Sequence, residues 1–185
     1  MTALRILLVV MLQSTALAYM IWDRTSILNS SEVVTLKVKP VDPSDMFRGD
    51  YVILNFDITM VDLAALPGDD TYVHDGWAYV TLANEGGAWV AKAVNNTMPA
   101  RAPGTVVLRG RVLSASTSEL AGPGPMKLEY GIESFFVPQG QGKAIEDERQ
   151  KGDLSADIAV DAQGRGAVKA LRRADGRVLY TEGLF

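Results

Sequence analysis

The chain has 185 residues, 18 Lys and Arg against 22 Asp and Glu, a single His and no Cys, and 48% of it is hydrophobic. Without cysteine there is no disulfide framework, no thiol nucleophile and no Cys-ligated metal site, and a lone His74 removes most zinc chemistry. A net charge of −4 with no basic cluster argues against a nucleic-acid binder, while 17 Gly and 8 Pro among only 22% charged residues indicate one turn-rich, sheet-rich domain.

Residues 6–22 carry no charge, with Arg5 ahead of them and Asp23 and Arg24 behind. As a membrane anchor this stretch of 17 residues is at the short end of what crosses a bilayer, with Tyr19 and Trp22 as interfacial rings. As a cleavable signal it has an apolar run at 6–12 and a small-x-small site at Ala16-Leu17-Ala18. A buried core helix is the third reading, and an apolar segment behind one Arg fits targeting better. In both targeting readings the cationic end stays inside and the rest of the chain faces the extracytoplasmic side. Residues 1–22 then form the signal or anchor, 23–32 a linker and 33–185 one domain. Beyond residue 22 the chain carries 17 basic and 22 acidic residues, net −5.

Residues 33–39 alternate apolar and polar and stop at Pro40, which reads as a strand. A second strand is expected at 51–58, and no more than a helical turn at 60–66, ended by Pro67-Gly68. Residues 76–82 and 88–94 flank Asn84-Glu85-Gly86-Gly87, the spacing of a hairpin. Trp77, Tyr79 and Trp89 are expected to face each other across it as packing residues, with a sugar platform as the other use. Residues 105–114 form a further strand, with Arg109 and Arg111 on the face opposite Leu108 and Val112. The Gly- and Pro-rich stretch 115–125 reads as a loop, 127–132 and 134–137 as extended, and 138–142 as a turn. Residues 143–151 form the one convincing amphipathic helix, with charge pairs four residues apart. Turn signals at 161–165 and 174–177 divide the tail into a three-strand meander. The expected fold is a single mainly β, antiparallel domain with one short helix, behind an N-terminal anchor or signal helix.

The densest motif is at residues 41–56. Gly49-Asp50-Tyr51, Leu54 and Phe56 resemble the signature of the GDYXXLXY family of bacterial membrane-anchored proteins, with Phe56 replacing the final Tyr. Residues 134–146 are similar to that family's aromatic-Phe-Val-Pro-Glu-Gly segment before a short helix, with Gln139 where Glu is usual. The resemblance covers nearly the whole chain. It implies a domain held at the bacterial inner membrane and facing the periplasm, and it implies no activity or cofactor. Members are often encoded near a multi-spanning membrane protein, which implies such a protein as a partner.

The residues themselves support a built corner. Pro43 biases Asp42 toward extended backbone, Asp42 and Asp45 can accept backbone N–H groups, and Arg48 is within reach of Asp42, Asp45 and Asp50. Gly49 can take positive φ before Tyr51 opens the strand. As structure this is a salt-bridged turn; as function it is a recognition surface shared with the turn that carries Phe136, Pro138 and Gly140. Calcium on Asp42, Asp45 and Asp50 would lack the regular ligand spacing of a known loop, so no metal is expected.

One enzymatic alternative uses the same region. Ser44 ahead of the Gly-Asp strand and Lys92 on a later strand loosely resemble the order of boxes in Ser/Lys signal peptidases. Asp45 follows the serine, however, and Ala93 stands where Arg is usual. A lysine base needs burial to lower its pKa, which apolar neighbours of Lys92 would supply. His74 in a turn sequence reads as a solvated histidine. Asp157 and Asp161 could pair as hydrolytic carboxylates but lack an aromatic platform, and Asn29-Ser30-Ser31 is a glycosylation sequon that matters only in a eukaryotic secretory route. The expected role is a membrane-anchored extracytoplasmic binding or accessory module for a membrane-protein partner, with a Ser44/Lys92 hydrolase as the alternative.

Overall fold

The computed structural model describes residues 2–40, 51–69, 71–118, 122–136, 145, 148, 149 and 151–182. The uncharged N-terminal stretch is part of helix α1 (Thr2–Leu28), whose 27 residues make it about 40 Å long at 1.5 Å per residue. Its large apolar side chains from Leu4 to Trp22 are exposed, and none of its most apolar window is buried. The hydroxyls of Thr15 and Thr25 donate to the carbonyls of Met11 and Ile21 at 2.8 and 2.7 Å, so these polar groups are satisfied within the helix.

The helix does not stop where the charges begin. Residues 23–28, expected to belong to a linker, stay helical because the domain offers them partners. Asp23 accepts from Arg165, Arg24 donates to Glu182, and Ile27 and Leu28 pack on Ala167. The last turn is closed by Asn29 N–H to the Thr25 carbonyl and Ser30 N–H to that of Ile27, both at 3.0 Å.

Twelve strands follow among the described residues: β1 (Glu32–Lys39), β2 (Tyr51–Ile53), β3 (Asn55–Phe56), β4 (Met60–Asp62), β5 (Trp77–Glu85), β6 (Ala88–Asn95), β7 (Thr105–Ser118), β8 (Gly122–Glu129), β9 (Ser134–Phe136), β10 (Leu154–Val160), β11 (Gly166–Arg173) and β12 (Val178–Thr181). They form one five-stranded sheet in the order β12-β11-β10-β1-β3, a second in the order β4-β8-β7-β5-β6, and a two-stranded ribbon of β2 and β9. Every pairing between these strands is antiparallel, so the domain is mainly β as expected, and the C-terminal meander forms.

The period-2 pattern explains the core. Val34, Leu36 and Val38 of β1 and Ala78, Val80 and Leu82 of β5 point inward and join Leu108, Leu128, Ile158 and Leu171 in one cluster shared by the two large sheets. Each fully buried leucine there contributes about 1.5–3 kcal/mol. β10 is buried on both faces. Ala156 and Ile158 enter the shared core, whereas Ala159 pairs with Ala167 across to β11, and these small side chains let the end of α1 close on the sheet.

Two glycine positions shape the second sheet. Gly86 and Gly87, at φ 61° and 95°, make the two-residue connection of the β5–β6 hairpin. Gly68 forms a parallel bridge with Val94, where Val94 N–H donates to Pro67 O at 3.0 Å and Asp69 N–H to Val94 O at 3.1 Å. A Cβ on Gly68 would lie 1.7 Å from that carbonyl oxygen, so only glycine fits. The bridge ties the segment that follows β4 to β6, the strand at the opposite edge of the sheet.

Three expectations are corrected. The strand expected over 51–58 divides at Leu54, whose N–H donates to Glu133 O at 2.8 Å, while Phe56 pairs with Val38; a 3-10 turn (Asp57–Thr59) follows. β4 occupies part of the supposed helical turn at 60–66, because Met60, Val61 and Asp62 pair with β8. The loop expected over 115–125 is largely strand. Gly124 supplies a carbonyl to Leu63 N–H, and bulges in β7 absorb the mismatch around Pro123 and Pro125.

Candidate functional site

The ribbon of β2 and β9 joins the two motif segments. Tyr51 opens β2, Phe136 closes β9, and the two are register partners, followed by Val52 with Phe135 and Ile53 with Ser134. The strand ends that lead into the motifs therefore lie side by side. Val52 and Phe135 are buried beneath them, while Phe136 is 76% exposed. Leu54 and Phe56, the last two positions of the signature, are core residues. Asp42, Pro43, Ser44, Asp45, Arg48, Gly49, Asp50, Pro138 and Gly140 lie outside the described residues.

The support under this ribbon comes from charges brought in by distant segments. Arg149, only 4% exposed, donates through Nη1 to the Ile53 carbonyl at 2.8 Å, and its buried Nε has no hydrogen-bond partner among the described residues. Charge pairs on the amphipathic segment gave no sign of this burial. The available signal was Ile145, four residues earlier and also buried, which puts Arg149 on the inward face of the helix. Glu148 binds Lys151 at 3.1 Å and Arg173 at 3.0 Å, and these cations hold its carboxyl below the usual range against an opposing push from burial. Glu133 accepts the N–H groups of Tyr130 at 2.6 Å and Ile132 at 2.9 Å, fixing the turn that enters β9. The Tyr130 hydroxyl donates to Ile58 O at 2.7 Å; burial pushes this phenol well above its ordinary pKa, with Glu133 adding to the effect. Phe135 meets Tyr180 edge to face, their centroids 5.1 Å apart.

The other sequence candidates have structural settings of their own. Lys92 is on β6 with its side chain 44% exposed and its ammonium paired with Glu85, so the apolar burial expected around a lysine base is not there. His74 is exposed, 3.5 Å from Asp75. Asp157 accepts from Thr35 at 2.8 Å and Arg172 at 2.5 Å, whereas Asp161 accepts from Arg165 at 2.7 Å and from the N–H groups of Gln163 and Arg165. Each carboxylate thus has its own arginine. Trp77, Tyr79 and Trp89 do not face one another as expected. The two-residue turn sets Tyr79 opposite Asn95 and Trp89 opposite Asn84, with Trp77 beyond the end of the paired hairpin and opposite Arg111 of β7. Among the described residues, no group of three His, Asp or Glu side chains is placed to hold a metal.

Clefts on the described surface include two that bear on these residues. One, of about 580 Å³, lies between β1, β3, β4 and β6 and is walled by apolar residues such as Leu36, Phe56, Val61 and Trp89. The other, about 400 Å³, is at the base of α1, where Asp23, Arg24 and Ile27 face Trp77, Arg109 and Arg111.

No curated protein and no solved structure matches the chain. A family profile described as GDYXXLXY protein matches residues 13–171, from within α1 to Leu171 in β11. With most of its length inside that match, including the β2 strand that carries Tyr51 and Leu54 just beyond it, the chain belongs to the GDYXXLXY family.

Proposed function

We propose that the protein is a membrane-anchored, extracytoplasmic binding module that works beside a membrane-protein partner and meets it through the edge that holds Tyr51 and Phe136. The observation that carries this reading is the continuity of α1. Its uncharged stretch of 17 residues rises about 26 Å, close to the roughly 30 Å of a bilayer's hydrocarbon core, and the same helix then docks on the domain through residues 23–28. A domain joined in this way is held at a set height above the membrane, as suits contact with a membrane-embedded neighbour. A cationic Arg5 ahead of the apolar stretch supports an orientation with the domain on the periplasmic side of a bacterial inner membrane. The alignment of the two motif strands at one edge, with Phe136 outward, supplies the contact surface.

Cross-linking in intact membranes followed by detergent purification tests this reading. Wild-type protein is expected to recover a multi-spanning membrane protein that Arg48→Ala and Phe136→Ala lose while remaining folded and membrane-bound. An identical cross-linking profile in the folded variants contradicts the proposed contact edge.

A further inference from the structure

The cleft at the base of α1 concentrates positive charge in a part of the chain that is otherwise acidic. Beyond residue 22 the net charge is −5, yet four of the 17 basic residues there, Arg24, Arg109, Arg111 and Arg165, line this one cavity against only Asp23 and Glu129. Three of the four arginines are engaged. Arg24 pairs with Glu182 at 3.1 Å, Arg111 with Glu129 at 2.5 Å and Asp75 at 3.4 Å, and Arg165 with Asp161 at 2.7 Å and Asp23 at 2.8 Å. Arg109 has no carboxylate within 4.0 Å among the described residues. Its guanidinium lies 4.3 Å from the ring centroid of Trp77, which is itself 50% exposed. A guanidinium held on an indole face keeps its in-plane N–H groups free for an oxyanion.

The height of the cleft limits what that oxyanion is. Asp23 and Ile27 wall it directly after Trp22, and four residues of helix rise about 6 Å. The headgroup layer on each side of a bilayer is about 5–7 Å thick, so the cleft is level with lipid phosphates when residues 6–22 fill the hydrocarbon core. Trp77 is then at the depth where amphipathic rings settle.

We infer that this cleft binds the phosphate of an anionic phospholipid headgroup, with Arg109 as the principal ligand and Trp77 as its support. The inference rests on the anchored reading of α1 and adds a ligand to it. Full-length protein reconstituted in nanodiscs of phosphatidylcholine with a minor share of phosphatidylglycerol, then released into native mass spectrometry, tests it. Wild type is expected to retain phosphatidylglycerol over phosphatidylcholine, and Arg109→Gln to reduce that retention on the order of tenfold, the loss of one charge-assisted contact. Trp77→Leu should weaken retention less, and Arg109→Lys should restore part of it. Equal retention by wild type and Arg109→Gln in discs that both enter overturns the inference and leaves the anchor intact. Displacement of the lipid by millimolar inorganic phosphate would assign the cleft to a soluble anion and overturn the lipid assignment. A chain that enters no disc overturns the anchored reading and this inference together.

Discussion

The two parts of α1 have the same backbone and opposite surroundings. From Leu4 to Trp22 the large side chains touch almost nothing of the protein, whereas Asp23, Arg24, Ile27 and Leu28 are engaged by β10, β11 and the residue after β12. The difference teaches that helix continuity and helix environment are set separately. Intrahelical hydrogen bonds carry the backbone through both parts, while composition decides that one part stays exposed and the other packs on the protein.

Substitutions can separate the two. Leu12→Arg, within the outer part, should raise the cost of membrane insertion by about 3–4 kcal/mol and shift the protein out of alkali-resistant membranes, with the melting temperature of the β domain unchanged. A fall in domain stability instead would mean that the outer part packs on protein. Ile27→Ala should do the reverse, lowering domain stability by about 2 kcal/mol, the low end for a buried Ile because its cluster has only three members, and leaving insertion as it was. Denaturant unfolding in detergent measures it. Arg165→Ala removes the cation from both Asp161 and Asp23 and should cost about 1 kcal/mol, since Arg165 is 31% exposed and water screens part of the loss; Arg165→Lys should recover some of it. Arg24→Ala is the mildest change. Its pair with Glu182 is 43% and 29% exposed, so the loss should stay under about 1 kcal/mol and vanish in high salt.

How much of this was legible depended on the range of the interactions involved. The apolar run at 6–22 and the alternation at 33–39 declare themselves locally, and so did the tail meander, where turn residues and strand runs agree. The stretch 115–125 misled because Ser, Gly and Pro look like a loop, while 115–118 and 122–126 pair with each other as the end of the β7–β8 ladder, and distant β4 adds to it only from Pro125 onward. Residues 51–58 keep their alternation across Leu54, and the break there is imposed by Glu133 and Val38. At the site, the Gly-Asp-Tyr and Phe-Val-Pro segments stood out as motifs, and β2–β9 pairing is what sets Tyr51 beside Phe136. Arg149 was readable only through Ile145 on the same helix face, and the Arg109–Trp77 stack was not visible as special, since nothing near it in sequence shows that it sits beside a helix base.

The anchored reading of α1 is tested most directly by the intact mass of the protein recovered from cell membranes. A retained anchor predicts the whole chain, near 20.0 kDa apart from loss of the initiating methionine. A mature chain that begins at Tyr19, after cleavage behind Ala18, would contradict it.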